Sequence, residues 1–339
     1  MHILINDFIG GVLDRGIPLY VRNLIEGLKA EGVRVSVIRA SPIFRRIPRN
    51  LFYSISCCVE QFVLPVAGLI LRADVTLYPY NSIAIVDVLS GRGRIVVHDL
   101  EQLDRSQWSP SRIYYRTCYM VIRWLAYPVF TIADIVRNRI VASKTFGKAP
   151  IFILPNTFYG FEILAAQTTA AVRKKTILLC TGSTPNKDLA TLVRDYLPLV
   201  LRKGWSISIM GLHKKNDAMT FAALSSALSS GQLTICGRLT DQDVVRAYKT
   251  HEIVWVHSLR EGFGRCVVEG RLVGRPVICS AISEFATLQD SGVHLYVTPL
   301  QFAEQLAALS GETGENQPYR GYPYRAMLRQ ALDRNLWRQ

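Results

Sequence analysis

The chain has little that would hold it together by covalent or metallic means. Its seven cysteines are an odd set with no CxxC pair and no His/Cys cluster at zinc spacing. Neither a disulfide framework nor a structural zinc is expected, and a reducing compartment is. Cys180, Cys236 and Cys279 lie in apolar runs, as do the vicinal Cys57 and Cys58, where a thiol behaves as a small hydrophobe. No Pro/Gly/Ser-rich linker, low-complexity tract or internal repeat interrupts the 339 residues, which argues against tethers and solenoids. Charge is sparse at 19%, against 49% hydrophobic residues, too little for a disordered chain and enough apolar surface for sizeable cores.

Acidic residues are the scarcest charged class, 26 against 40 basic ones, for a net charge of +14. The imbalance is concentrated early: residues 1–175 hold 22 Lys/Arg against 12 Asp/Glu, and the remainder 18 against 14. The first half is therefore suited to an anionic partner such as a membrane surface or a phosphorylated substrate. No groove-reading motif supports nucleic acid as that partner. The opening MHILINDFIGG lacks a basic leader followed by a long apolar core, so no signal peptide is expected. LFYSISCCVEQFVLPVAGLILR, residues 51–72, approaches the length of a membrane span, but Glu60, Gln61 and Pro65 fall in its middle. A buried or interfacial helix is the expectation there.

What is present is alternation. HILIN, VRVSVIRA, DVTLYP, RIVVHD, VFTI and IFILP read as short strands separated by helical stretches, among them an aromatic and basic one from 109 to 127. After RKK at 173–175 the pattern restarts with TILLCTGS, SISIMG, LTICG, IVWVHS and PVICS. The expected fold class is α/β, two Rossmann-like doubly wound lobes with a cleft between them. The expected division is residues 1–165, residues 166–316, and a helix over 317–339 that returns to the first lobe. In such sheets ligands bind beyond the carboxyl ends of the strands, and Gly182, Gly211, Gly237 and the 262–264 loop occupy such ends.

The densest chemistry lies in IVWVHSLREGFGRCVVEGRLVG, a strand, a loop and a helix. Gly262 and Gly264 allow close backbone approach to a ligand, and the free amides of the following helix make a site for phosphate. Glu261 precedes that helix and Glu269 lies more than a turn inside it. Two carboxylates beside an anion site suit sugar hydroxyls. Asp241-Gln242-Asp243 could suggest a divalent cation, but Thr240 followed by Asp243 is a helix-start pattern. Gly10, Gly11 and Gly16 fall in the loop between the first strand and the first helix, where they are expected to line the cleft.

The segment from Glu261 to Ile278 resembles the signature of retaining glycosyltransferases of the GT-B fold, family 4, in which two glutamates stand eight residues apart. TGSTPNKDLATLV resembles that family's phosphate-binding loop and CGRLTDQDVVRAY its strand end beside the base; HDL at 98–100, LPNTF at 154–158 and GIPLYVRNLIEGLKAEGVRVSV also fit. The resemblance implies that Glu261 touches the donor sugar, Glu269 the ribose and Lys187 the diphosphate. The amides of Phe263, Gly264 and Arg265 would hold the donor, with Gly182, Ser183, Arg238 and Leu239 around it, and His98 would lie near the transferring sugar. The family pattern has an arginine ahead of the lysine, where this chain has Gly182-Ser183-Thr184. Arg265 is the first substitute for that charge, with Arg260 and Arg238 as rivals.

What the resemblance implies for function is transfer of a hexose from a nucleoside-diphosphate sugar, such as GDP-mannose or a UDP-sugar, with retention of configuration and no metal or other cofactor. The acceptor would be a glycan or a polyprenyl-diphosphate-linked oligosaccharide in surface-polysaccharide synthesis, met on the inner face of the plasma membrane. A nucleotide-sugar epimerase, a phosphorylase-like enzyme and a non-catalytic nucleotide-sugar-binding protein are alternatives on the same scaffold.

Overall fold

The computed structural model describes residues 1–12, 16–100, 110–212, 224–237, 239–309, 319, 321–333 and 337. It divides into two units, Met1–Gly160 with Pro323–Gln339, and Phe161–Tyr322. The division falls within the helix Tyr159–Gln167. Tyr159 packs on Tyr324 at 5.4 Å between ring centroids, inside the first unit. Phe161 packs on Tyr248 at 5.7 Å, inside the second. The terminal helix Tyr324–Asp333 lies in the first unit, where Leu328 meets Gly27.

The first unit carries β1 (His2–Asn6), β2 (Arg34–Ile38), β3 (Val75–Tyr78), β4 (Gly93–Val97), β5 (Val129–Thr131) and β6 (Ile151–Ile153). They form one sheet in the order β2-β1-β3-β4-β5-β6, every pair parallel. The second carries β7 (Arg173–Cys180), β8 (Ser206–Met210), β9 (Leu233–Ile235), β10 (His251–Val256), β11 (Val277–Ser280) and β12 (Val293–Tyr296). Its order is β12-β11-β10-β7-β8-β9, again all parallel. Central strands such as β1, β4 and β10 are buried along their whole length, which is why their cores ILI, IVV and IVWV read as unbroken apolar runs rather than alternating ones.

In the second sheet the chain runs outward from β7 to β9, then restarts on the other side of β7 with β10. The carboxyl ends of β7 and β10 are therefore the topological switch point, where such sheets bind ligands. Trp255 of β10 is fully buried among Tyr196, Tyr296 and Phe302, and its indole N–H donates to the Tyr296 hydroxyl at 2.9 Å. Each such aliphatic or aromatic side chain contributes about 1.5–3 kcal/mol by leaving water.

Two helices that read as continuous in the sequence each contain a π turn. Val59–Val63 precedes Leu64-Pro65 and Leu192–Tyr196 precedes Leu197-Pro198. A proline within a helix clashes with the carbonyl four residues back and donates no hydrogen bond. A widened turn at that place accommodates both defects.

Candidate functional site

The site is built where β7 and β10 end side by side, with Cys180 in register with Val256. The loop after β7 folds into a short 3-10 turn, Pro185–Lys187, and Asp188 follows with φ 42°. The loop after β10 runs from His257 to Gly264. The two loops are joined through Asn186, whose side-chain amide donates to the Arg260 carbonyl at 3.0 Å. Its own carbonyl accepts from Leu259 N at 2.7 Å and Ser258 Oγ at 2.9 Å. These bonds set the neighbouring residues opposite each other, and Lys187 Nζ forms an ion pair with Glu261 Oε1. Burial alone would lower the Lys187 pKa, but the Glu261 carboxylate outweighs it and the ammonium is held above its ordinary value. Glu261 is positioned in turn by its backbone N–H, which donates to Glu284 Oε1 at 2.9 Å.

Gly264 caps the helix Arg265–Leu272 with φ 94°. A Cβ there would stand 2.7 Å from the Phe285 ring, so both the conformation and the space require glycine. The ring of Phe263 packs against Tyr322 at 4.6 Å. Along the helix, Glu269 is buried and accepts from the Tyr248 hydroxyl at 3.0 Å and from Arg265 Nη2 at 3.1 Å. Burial raises its pKa, opposed by the Arg265 charge and the Tyr248 hydrogen bond. Gly270 lets this helix lie against the sheet, since a Cβ would come within 3.0 Å of Val277 and 3.1 Å of Val254.

Of the residues singled out in the sequence, Lys187, Glu261, Gly262, Phe263, Gly264, Arg265 and Glu269 thus share one end of the second sheet. Gly182 and the exposed Ser183 lie in the loop after β7, Gly182 approaching the Gly211 carbonyl. Leu239 precedes Thr240, and Arg238 lies outside the described residues. Thr240 is the N-cap of the helix Asp241–Thr250, its Oγ1 accepting from Asp243 N at 3.2 Å. Arg265 is already engaged with Glu269, and Arg260 is exposed.

In the first unit, His98 follows β4 and is 7% exposed. Its backbone N–H donates to Asn81 Oδ1 at 2.6 Å and its ring meets Tyr20 edge-on at 4.7 Å. Burial lowers its pKa to about 3, so the imidazole is neutral across the physiological range. Its Nε2 has no hydrogen-bond partner among the described residues. Gly10 and Gly11 belong to a 3-10 turn, Ile9–Gly11. A Cβ on Gly10 would fall 2.0 Å from Asp7 Oδ1, and one on Gly11 2.1 Å from the Ala40 carbonyl oxygen. Close packing explains these two glycines, whereas Gly16 has φ 67° and starts the helix Ile17–Ala30.

Several residues at these sites escaped the sequence reading. Asn186 was visible only as a neighbour of Lys187, and Tyr248 only as part of a helix. Glu284 lies 23 residues from its partner, with no local signal. In the sequence Glu60 has the look of a simple interruption of an apolar run. It is 4% exposed within the π turn and accepts from Asn6 Nδ2 at 3.0 Å, Ser82 Oγ at 2.9 Å and Tyr114 Oη at 2.5 Å. Burial raises its pKa to about 7 against those three hydrogen bonds.

The stretch Asn50–Ile70 is the one helix among the described residues long and apolar enough to cross a membrane, with mean hydropathy 1.5 and 28% of its window buried. Glu60 and Gln61 tie it to the body of the unit, Gln61 bonding Ile83 O, Ile85 N and Tyr114 Oη at 2.7–3.1 Å. Its other face leaves Phe62, Val66, Leu69 and Ile70 exposed. The adjoining segments expose Val86 and Leu89, and Ile113, Met120 and Trp124. Arg45, Arg46, Arg72, Arg116 and Arg123 are also exposed in these segments or next to them.

Residues 175–311 match the family model of the glycosyl transferases group 1. No curated protein matches the chain. Among solved structures, sucrose-phosphate synthase from Thermosynechococcus elongatus superposes with a TM-score of 0.63 at 18% identity, covering 97% of this chain and 94% of that one. UDP-GlcNAc 2-epimerase from Methanocaldococcus jannaschii gives 0.60 at 14%, covering 98% and 99%. The catalytic domain of starch synthase IV from Arabidopsis thaliana, bound to ADP and acarbose, gives 0.63 at 11%, covering 98% and 95%. At these identities the likeness is one of fold, and the fold is the two-lobed, Rossmann-like GT-B arrangement.

Proposed function

We propose that the chain is a glycosyltransferase that moves a hexose from a nucleoside-diphosphate sugar to a glycan or lipid-linked oligosaccharide, with retention of configuration. The observation that carries this reading is the cluster at the ends of β7 and β10, inside the segment that matches the group 1 family model. There a buried glutamate and an ion-paired Lys187 and Glu261 flank the amino end of a helix.

In this reading Glu269 holds the ribose hydroxyls and Lys187 the diphosphate, assisted by the amides of Phe263, Gly264 and Arg265. Glu261 then exchanges its contact with Lys187 for hydroxyls of the donor sugar. The protein works by positioning the donor and stabilising charge on the departing diphosphate. His98, neutral and with a free ring nitrogen, is suited to hydrogen-bond a sugar hydroxyl rather than to carry a charge. The acceptor belongs to the first unit, where the exposed apolar face and its arginines suit an anionic bilayer and a lipid-linked substrate.

The test is transfer from radiolabelled UDP- and GDP-hexoses to a polyprenyl-diphosphate-linked acceptor in anionic liposomes. Labelled lipid product that retains the donor's anomeric configuration supports the reading, and release of nucleotide without product refutes it. The epimerase alternative is favoured by the superposition on UDP-GlcNAc 2-epimerase. Conversion of the donor with no acceptor present would establish it instead.

A further inference from the structure

The segment after β3 carries three buried polar side chains in a row, Tyr80, Asn81 and Ser82. Two are engaged within the unit. The Tyr80 hydroxyl donates to Asp7 Oδ1 at 2.7 Å, and the Ser82 hydroxyl donates to Glu60 Oε2 at 2.9 Å. Asn81 between them is fully buried, with φ 63°. That left-handed backbone is uncommon outside glycine, though Asn tolerates it, and residues held in it gather at ligand sites. β3 pairs Tyr78 with Ile95 of β4, and three residues further along each chain Asn81 meets His98. Its Oδ1 accepts from the His98 backbone N–H at 2.6 Å. That partner is a donor, which fixes the orientation of the amide: the oxygen faces His98 and the NH2 group is the free end. Asn81 Nδ2 and His98 Nε2 are both buried, and neither has a hydrogen-bond partner among the described residues.

We propose that Asn81 and His98 form a two-point subsite for the hydroxyls of a neutral hexose, in which Asn81 both holds the histidine backbone and reads the sugar. The inference rests on the sugar-binding role given to His98 above and adds the residue that completes it.

Buried amide N–H groups almost always have an acceptor, so two open groups on neighbouring residues mark a place that a ligand completes. Nδ2 can only donate, whereas Nε2 donates or accepts according to its tautomer. A sugar hydroxyl does both, so a pair of adjacent hydroxyls satisfies the two nitrogens in either tautomer. An anion suits them poorly. The amide has no charge, burial keeps the imidazole neutral, and the acids Asp7 and Glu60 lie one hydrogen bond away from the residues that flank Asn81. The Arg39 guanidinium nearby is already paired with Asp7. A site built to hydrogen-bond a hydroxyl rejects the analogue that lacks it, because its own buried groups are then left open.

The experiment uses the full-length protein and its Asn81→Asp, Asn81→Gly and His98→Gln variants. Asn81→Asp keeps the acceptor for the His98 amide and replaces the NH2 donor by oxygen. Asn81→Gly removes the side chain at a backbone conformation that glycine adopts freely. One arm measures the Kd of UDP- and GDP-hexoses, of their monodeoxy forms and of free UDP and GDP by calorimetry. The other measures the KM of a polyprenyl-diphosphate-linked disaccharide and its monodeoxy forms in transfer. In one arm the parent chain should lose at least about tenfold when a particular hydroxyl is removed. The Asn81 variants should handle the intact and the deoxy sugar alike, with the Kd of the free nucleotide unchanged. The arm that responds shows whether the donor or the acceptor supplies the hexose. In 15N-histidine spectra, nucleotide sugars or methyl hexosides should also shift the His98 Nε2 signal, assigned by its loss in His98→Gln. Variants that discriminate as the parent does in both arms overturn the proposal, as does an Nε2 signal that no sugar moves. A fall in free-nucleotide affinity as large as that for the sugar conjugate would show a structural role and overturn it too. If the parent chain neither binds nor uses any nucleotide sugar, the proposed function fails, and the Nε2 response to methyl hexosides alone decides whether the subsite takes a sugar.

Discussion

Replacing Glu269 by alanine separates a ligand-binding role from a structural one. The carboxylate is 6% exposed and accepts two hydrogen bonds, one from Tyr248 and one from Arg265. If it also accepts from a ribose, its loss removes interactions worth about 1.5–3 kcal/mol for a charged acceptor. At 1.4 kcal/mol per decade this raises the Kd of a nucleoside diphosphate roughly 10- to 150-fold. The same substitution leaves the buried Tyr248 hydroxyl without this acceptor and Arg265 without this carboxylate. That costs on the order of 1–3 kcal/mol of stability, less what is regained because a buried carboxyl with a raised pKa is no longer desolvated. For a unit of this size each kcal/mol lowers Tm by about 2–4 °C. Glu269→Gln keeps an acceptor for Tyr248 and should lose less stability while still weakening the nucleotide. Calorimetric titration alongside thermal unfolding distinguishes the two effects. A lowered Tm with unchanged affinity for every nucleoside diphosphate that binds the parent chain would show the glutamate to be a packing residue and refute the reasoning.

Three further outcomes are expected. Glu261→Ala should spare binding of the bare nucleoside diphosphate and depress sugar transfer; loss of nucleotide binding would break the division of roles between the two glutamates. Transfer should persist in EDTA, and activity lost on chelation and restored by manganese or magnesium would return Asp241 and Asp243 to consideration as ligands. Glu60 titrates near 7 in the folded chain against an ordinary 4.5, so the folded state binds its proton more tightly. Its contribution to stability is complete below about pH 4.5 and is lost as pH rises through 7, on the order of 3 kcal/mol in all. Glu60→Gln should therefore flatten the fall of Tm between pH 5 and 7.5, and an unchanged slope would place the titration elsewhere.

The sheets were legible because parallel strands covered on both faces must be apolar throughout, as HILIN and IVWVHS are. The loop from Glu261 to Gly264 was legible because its glycines and carboxylates are contiguous. What escaped depends on contacts between distant positions. Nothing near Glu284 marks it as the acceptor for the Glu261 amide, and nothing near Asn186 reveals that it joins two loops across more than 70 residues. Glu60 looked like a polar fault in a hydrophobic run because its partners Asn6, Ser82 and Tyr114 come from three other segments. The π turns before Pro65 and Pro198 are adjustments of one residue, below what apolar periodicity resolves. The unit boundary was expected at 165/166 and falls at 160/161, within a helix whose pattern does not change.

The most direct test of the central claim is a thermal-shift and calorimetric titration with UDP, GDP and ADP and their hexose conjugates. At a hundredfold excess over Kd a ligand that binds only the folded chain adds about 2.7 kcal/mol, a rise in Tm of roughly 5–10 °C. The account predicts such a rise for at least one nucleoside diphosphate, saturable, and strongly reduced by Lys187→Ala. No binding of any of these nucleotides, or binding untouched by that substitution, would contradict it.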